Sequence, residues 1–206
     1  MGSERDRGRE REPGRGAEAR PDAEPGPGAK SAPVAGPDAE PVRAAGPDAP
    51  PGQAAGPVVG ASPHPVPDAA AYLRGRWSIE RTVYDLRAGV EGSFRGTAEF
   101  RPDPAGPGML HLEEGRLRWG GAEQPASRTL RLRPRPDGTA EVDFADGRPF
   151  HDLDLRTGRW STVHPCAADR YAGTFTVTGA DTWHLEWRVA GPAKDQLLRS
   201  EYRRLG

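Results

Sequence analysis

The eight residues Thr182-Trp183-His184-Leu185-Glu186-Trp187-Arg188-Val189 decide how the rest of the chain is read. Trp183, Leu185, Trp187 and Val189 alternate with Thr182, His184, Glu186 and Arg188. An extended segment therefore puts the apolar side chains on one face and the polar ones on the other, whereas a helix would scatter both sets around its axis. The segment reads as a strand with one buried face, entered through the turn Gly179-Ala180-Asp181.

The same period of two runs outward from it. Upstream, Tyr171, Gly173, Phe175 and Val177 share a face, as do Trp160, Thr162, His164 and Cys166, and before them His151, Leu153 and Leu155. Asp146-Gly147 marks a hairpin turn after Val142 and Phe144. Leu130 and Leu132 share a face with Arg128; Leu110, Leu112 and Glu114 form another set, followed after Gly115 by Leu117 and Trp119. Phe94, Gly96, Ala98 and Phe100 make one strand face, and Trp77, Ile79, Arg81 and Val83 another. Downstream, Leu198, Ser200, Tyr202 and Arg204 close the series. Such a run amounts to about nine or ten short strands with turn signals every 8–12 residues or so, which is the pattern of an antiparallel sandwich or a closed barrel. Each strand has one apolar and one charged face, an arrangement that a closed sheet satisfies without leaving long edges, so the expected fold is an all-β antiparallel barrel. One short helix precedes it: Asp68 is a good N-cap for Ala69-Ala70-Ala71, and Gly75 suits the C′ position.

Composition divides the chain. Apolar residues are 34% of the 206 residues, below the roughly 45–50% usual in globular domains. No Leu, Ile, Phe, Trp or Tyr precedes Tyr72, while all five Trp lie from Trp77 to Trp187. Residues 1–67 start with mixed charges and continue as a Pro/Ala/Gly tract in which Ala35–Ala39 and Ala45–Ala49 repeat the same AGPDA pentapeptide. With so little to bury, this stretch is expected to be a disordered tail. Residues 68–206 are expected to form one domain around one core. The net charge of −1 offers no field for nucleic acid or an anionic membrane, and no aromatic-flanked basic patch is evident. A single cysteine, Cys166, fits a reducing compartment, and the charged N-terminus lacks the apolar core of a signal peptide, so the expected location is cytoplasmic. Arg outnumbers Lys so heavily (Lys30 and Lys194 are the two lysines) that, with the Ala, Gly and Pro excess, bacterial GC-rich coding is indicated.

Placing the apolar faces inward carries Arg81, Glu114, Arg128, His151, His164, Asp169 and Tyr202 with them. Buried charges must be paired, hydrated or bound to something. Three arrangements satisfy that demand. One is an internal network of Arg–Glu and His–Asp pairs. Another is a small-molecule site, with apolar walls from Phe175, Trp183 and Trp187, and with Arg128, His151, His164, Asp169, Tyr171 and Tyr202 as polar contacts to an anionic or amphipathic ligand. The third is a catalytic or metal centre built on His151, His164, Cys166 and Asp169, donors that zinc accepts, although no second cysteine accompanies Cys166. A non-catalytic interaction module tethered by the tail is a further alternative. No phosphate-binding glycine loop, nucleophile elbow or H-E-x-x-H motif is present. The sequence names no cofactor, assigns no metal and does not give the oligomeric state.

Gly75-Arg76-Trp77, following a short helix at the start of the first strand, resembles the G-x-W element of lipocalins and related calycin barrels. That resemblance implies an Arg from the last strand packed over the Trp, a part open to Arg203 or Arg204. A longer set of residues is more specific: Asp146-Gly147-Arg148-Pro149-Phe150-His151-Asp152-Leu153-Asp154-Leu155, His164-Pro165-Cys166-Ala167-Ala168-Asp169-Arg170-Tyr171, Trp187-Arg188-Val189, Gly191-Pro192-Ala193-Lys194-Asp195 and Tyr202-Arg203-Arg204. Together they resemble domain of unknown function 6314, a family of bacteria and fungi, over about Tyr72 to Arg204, with Leu112 departing from a commonly aromatic position. The resemblance implies a barrel-like fold but no activity. It marks His151, His164, Cys166, Asp169 and Lys194-Asp195 as motif positions, the last pair serving either a turn or a gate at the barrel mouth.

Overall fold

A computed structural model describes residues 62–206; of the tail expected over residues 1–67, all but residues 62–67 lies outside the described residues. One helix, α1 (Ala69–Leu73), is followed by ten strands: β1 (Gly75–Asp85), β2 (Val90–Pro102), β3 (Met109–Trp119), β4 (Ala122–Pro134) and β5 (Ala140–Phe144). The second half supplies β6 (Pro149–Leu153), β7 (Arg159–Cys166), β8 (Asp169–Gly179), β9 (Thr182–Ala190) and β10 (Asp195–Arg204). The strands form one sheet in the order β6-β5-β4-β3-β2-β1-β10-β9-β8-β7, antiparallel at each pairing. The chain's first and last strands are thus paired, with Ile79 opposite Tyr202. The sheet rolls into a nearly closed barrel whose single break in the ladder, among the described residues, falls between β6 and β7.

Across that seam side chains replace ladder bonds. Trp160 donates its indole N–H to the Asp152 carbonyl at 3.1 Å, and Thr162 donates its hydroxyl to the Asp152 carboxylate at 3.0 Å. Glycine shapes the curvature on the opposite side of the sheet. Gly96 and Gly115 face each other across β2 and β3. A Cβ on Gly96 would lie 2.1 Å from the Glu114 carbonyl oxygen, so the two backbones approach more closely than any other residue permits.

Asp68 caps α1 by accepting the Ala71 N–H at 2.9 Å. The helix plugs one end of the barrel, burying Ala69, Ala70 and Leu73. Just before it, Val66 is buried and donates its N–H to the Leu155 carbonyl, while His64 donates to that of Val177. The core is the barrel interior, with Trp77, Ile79, Phe100, Phe175, Val177, Trp183 and Leu185 among its buried members. The stripe Arg131, Arg133, Arg135 faces outward as read, ion-paired to Asp103, Asp143 and Glu141. No helix among the described residues is long and apolar enough to cross a membrane.

One strand is phased opposite to its reading. On β3 the buried side chains are Met109, His111, Glu113 and Leu117; Leu110 and Leu112 are half-buried and Glu114 is exposed. The expected inward Glu114 is therefore Glu113. The inner face here carries the polar residues, so the two outward leucines inverted the apparent pattern.

Candidate functional site

Midway along the interior the odd phase of β3 puts Glu113 directly opposite Arg128 of β4, while β1 brings in Arg81 opposite Ser200 of β10. The Glu113 side chain is 1% exposed and is ringed by donors. Arg81 Nη2 reaches both of its oxygens at 3.0 and 3.1 Å, Arg128 Nη2 reaches Oε1 at 2.8 Å, and the Tyr202 hydroxyl donates to Oε1 at 2.7 Å. Arg81 also donates through Nε to Ser200 Oγ at 2.7 Å and through Nη2 to the Tyr202 oxygen at 3.0 Å. Burial opposes ionisation of Glu113, but Arg128 and Arg81 outweigh it and hold the carboxyl well below its usual range. Tyr202 is pushed above its ordinary value, first by burial and then by Glu113, so its phenol stays protonated.

Three residues beside this network have buried donor or acceptor nitrogens without a hydrogen-bond partner among the described residues: Arg128 Nε, Trp183 Nε1 and His111 Nε2. His111 Nε2 is 3.3 Å from Glu113 Oε1 but misaligned for a hydrogen bond, and its ring stacks on Phe100 with centroids 4.1 Å apart. Burial lowers its pKa, keeping the ring neutral. Trp183 stacks on Tyr202 at 3.7 Å, which fixes where its N–H is held. All three side chains line an interior cavity, together with His151, Phe175 and Trp187. Its floor toward α1 is aliphatic, made by Leu73, Leu130, Leu132 and Leu155. The free space is about 30 Å³, room for about two water-sized groups.

His151 forms the seam side of this cavity. Its Nδ1 lies 2.7 Å from the Asp152 carbonyl, and its ring is packed by Phe150 and Phe175 at 4.6 and 5.3 Å and by Trp187 at 5.6 Å. Burial drives its pKa down to about 4. Gly173 makes room for Trp187, whose ring atoms would lie 2.7 Å from a Cβ there.

The remaining expected site residues sit further along the strands, away from the end that α1 covers. His164 lies in an aromatic cluster, its ring 5.6 Å from Phe144 and 5.1 Å from Phe150. Asp169 holds Lys194 at 3.0 Å, and the Lys194 amine is 3.4 Å from the hydroxyl of the buried Tyr171. Burial opposes the Lys194 charge, yet the bonds to Asp169 and Tyr171 prevail and raise its pKa. Gly191 packs against Asp169 so tightly that a Cβ would overlap its carboxylate. Arg128, His151, Trp183 and Trp187 thus share one cavity, with Tyr202 in the adjoining network; Asp169 and Tyr171 meet at Lys194, and His164 lies between the two groups, against Phe150 and Tyr171. His151, His164, Cys166 and Asp169 do not converge on one point: Asp169 is held by Lys194 and His151 by a backbone carbonyl. Among the described residues no three His, Cys, Asp or Glu side chains are placed to share a metal ion. Sequence reading missed Glu113, His111 and Ser200; the alternation Met109-His111-Glu113-Gly115-Leu117 was the available signal for the first two.

A meander whose first and last strands pair, plugged by a short helix, with the guanidinium of Arg204 on the last strand set over the ring of Trp77 on the first, is a calycin-like barrel. The chain belongs to the family described as a family of unknown function (DUF6314), whose model matches residues 73–204. Among solved structures it is similar to the S-type phycobiliprotein lyase CPES from Guillardia theta, at 8% identity over 66% of this chain and 90% of that one, with a TM-score of 0.50. A de novo designed fluorescence-activating β-barrel aligns at 18% identity over 67% of this chain and 98% of its own, with a TM-score of 0.38. A protein of unknown function from the DUF3598 family of Nostoc punctiforme PCC 73102 aligns at 11% identity over 70% of this chain and 51% of its own, with a TM-score of 0.37. No curated protein matches.

Proposed function

We propose that the barrel interior binds a small anionic or amphipathic molecule, with its polar end at Arg128, His151 and Trp183 and its apolar part against Trp187 and the leucine floor. The observation that carries this reading is the buried Arg128 Nε, a charged donor left without a partner in a cavity wall. Leaving such a donor unmatched costs about 1–3 kcal/mol or more, a penalty that a bound acceptor removes. His164, Asp169, Tyr171 and Lys194 serve as the mouth of that site, and the protein acts in the reducing cytoplasm with Cys166 as a free thiol. The limited free space means that a ligand larger than a few atoms displaces wall side chains, and His151 and Phe150 on the unpaired edge of β6 are the ones least restrained by the ladder.

Native mass spectrometry of the freshly purified full chain, compared with its denatured mass, tests this. Added mass that vanishes on denaturation, and that is absent from an Arg128→Met variant, is the expected result. Added mass that persists in Arg128→Met would remove Arg128 from the site and sink the reading.

A further inference from the structure

The interior network is unbalanced. Its charged members are Arg81, Arg128 and Glu113: two cations against one anion. The other titratable groups facing it do not alter that sum. His111 and His151 are neutral, and Tyr202 keeps its proton. Ser200 contributes only a hydroxyl. No further carboxylate reaches the cluster among the described residues, since the buried Asp143 pairs with Arg133 on the outer face. Arg81 makes four bonds, through Nε and Nη2, to Ser200, Glu113 and Tyr202, whereas Arg128 makes one, and Glu113 Oε1 already accepts from Arg81, Arg128 and Tyr202. The surplus positive charge therefore resides on Arg128, the member that also has an unused Nε–H. A second unused donor, Trp183 Nε1–H, lines the same cavity.

Resting on the interior-ligand reading above, we propose that this site selects singly charged anions, a carboxylate or its like seating on Arg128 Nε and Trp183 Nε1, with Glu113 as the internal charge that fixes the selection. The logic is electrostatic. In a low-dielectric interior an unmatched charge is costly, and charges within a few ångströms interact several times more strongly than in water. A neutral ligand leaves the surplus cation unmatched. A monoanion brings the sum to zero. A dianion brings it to minus one and sets two negative groups against each other across Arg128. The free volume suits the acidic group: about 30 Å³ accommodates two water-sized atoms, the two oxygens of a carboxylate. Glu113 is therefore a specificity-determining residue that need not touch the ligand.

The test uses the full chain and three ligands with the same six-carbon tail: hexanoate, 1-hexanol and hexyl phosphate at pH 8, where the phosphate is doubly charged. Binding is followed through the indole N–H signal of Trp183, assigned with a Trp183→Phe variant. Hexanoate should bind at least about tenfold more tightly than either of the others, the worth of one charge-assisted hydrogen bond. Arg128→Met should bring hexanoate down to the affinity of 1-hexanol without lowering stability in urea, because the surplus charge goes with it. Should that variant fail to fold, Arg128→Lys keeps the charge and loses the Nε donor; hexanoate affinity must then fall and that of 1-hexanol must not. Equal binding of the acid and the alcohol, or tighter binding of the phosphate, overturns the charge selection and leaves interior binding standing. Failure of all three to bind overturns both.

Discussion

The guanidinium carbon of Arg204 lies 4.1 Å from the centre of the Trp77 ring, joining the last strand to the first across the plugged end of the barrel. The same side chain donates to the carbonyls of Tyr72 and Arg74, at 2.7 and 2.9 Å, and to the Asp181 carboxylate at 2.9 Å. Trp77 in turn donates its indole N–H to the Leu73 carbonyl at 2.7 Å, so Arg and Trp together satisfy the C-terminal carbonyls of α1. Arg204→Ala should cost about 2–3 kcal/mol, from one cation–π contact and several charge-assisted bonds. Arg204→Lys should recover little, because an ammonium has no planar fork to span three acceptors. Urea denaturation checks both; a lysine variant as stable as the parent would show that charge alone suffices.

Glu113 is where the interior is most exposed to damage by mutation. Glu113→Ala leaves Arg81 with only Ser200 and Tyr202 as acceptors and both buried guanidiniums without their counter-charge, and should cost about 3–5 kcal/mol. Acid should act on the same group. Its folded pKa lies below the ordinary value of 4.5, so its contribution is fully present above that value and is lost as the pH falls toward the lower, folded pKa. Stability measured from pH 5 downward should fall steeply, and in the already weakened Glu113→Ala protein that component of the slope should be missing. An unchanged slope would place the acid-sensitive group elsewhere.

His151 predicts a second, milder step at higher pH. Its pKa falls from 6.5 to about 4 on folding, so the unfolded chain takes up its proton first as the pH drops. The resulting stabilisation is complete above about pH 6.5 and declines between there and pH 4. Because the ring is partly exposed at the seam, the loss should be about 1–2 kcal/mol, below the full value of the shift. His151→Gln should flatten the stability profile in that window. A profile equally steep in the variant would assign the step to His111 or His184, whose pKa values are also lowered by burial.

Gly96→Ala tests the bend. The new methyl would meet backbone at 2.1 and 2.7 Å, so β2 and β3 must separate, at a cost of about 3 kcal/mol or more. Gly106→Ala, with open space around it and no left-handed backbone, should change stability by less than about 0.5 kcal/mol. Comparable effects at the two sites would mean that the paired strands are free to spread.

Most of the strands were legible because alternation is a local signal, and the Trp183–Val189 pattern survives intact as the inner face of β9. The Arg over Trp77 was legible only through the G-x-W resemblance, which left Arg203 and Arg204 both open; the residue in place is Arg204. The phase of β3 was not. Alternation says only that two faces differ, and where the inner face carries His111 and Glu113 while the outer carries Leu110 and Leu112, hydrophobicity points the wrong way. Arg128, His151, Trp183 and Trp187 were correctly read as inward, yet their separation from Asp169 and Tyr171 depends on height along the barrel. That height follows from strand register, for which the sequence carries no short-range mark.

The seam between β6 and β7 leaves the rolled sheet with two free margins, and each margin contains a proline: Pro149 on β6 and Pro165 on β7. Proline has no N–H to offer an incoming strand, so both margins are poor templates for another chain. Along that line the two side-chain bonds to Asp152 and the rings of Phe144 and Phe150 against His164 take the place of ladder rungs, with no invitation to a foreign strand. In mechanical terms it is a tube slit lengthwise with hemmed edges.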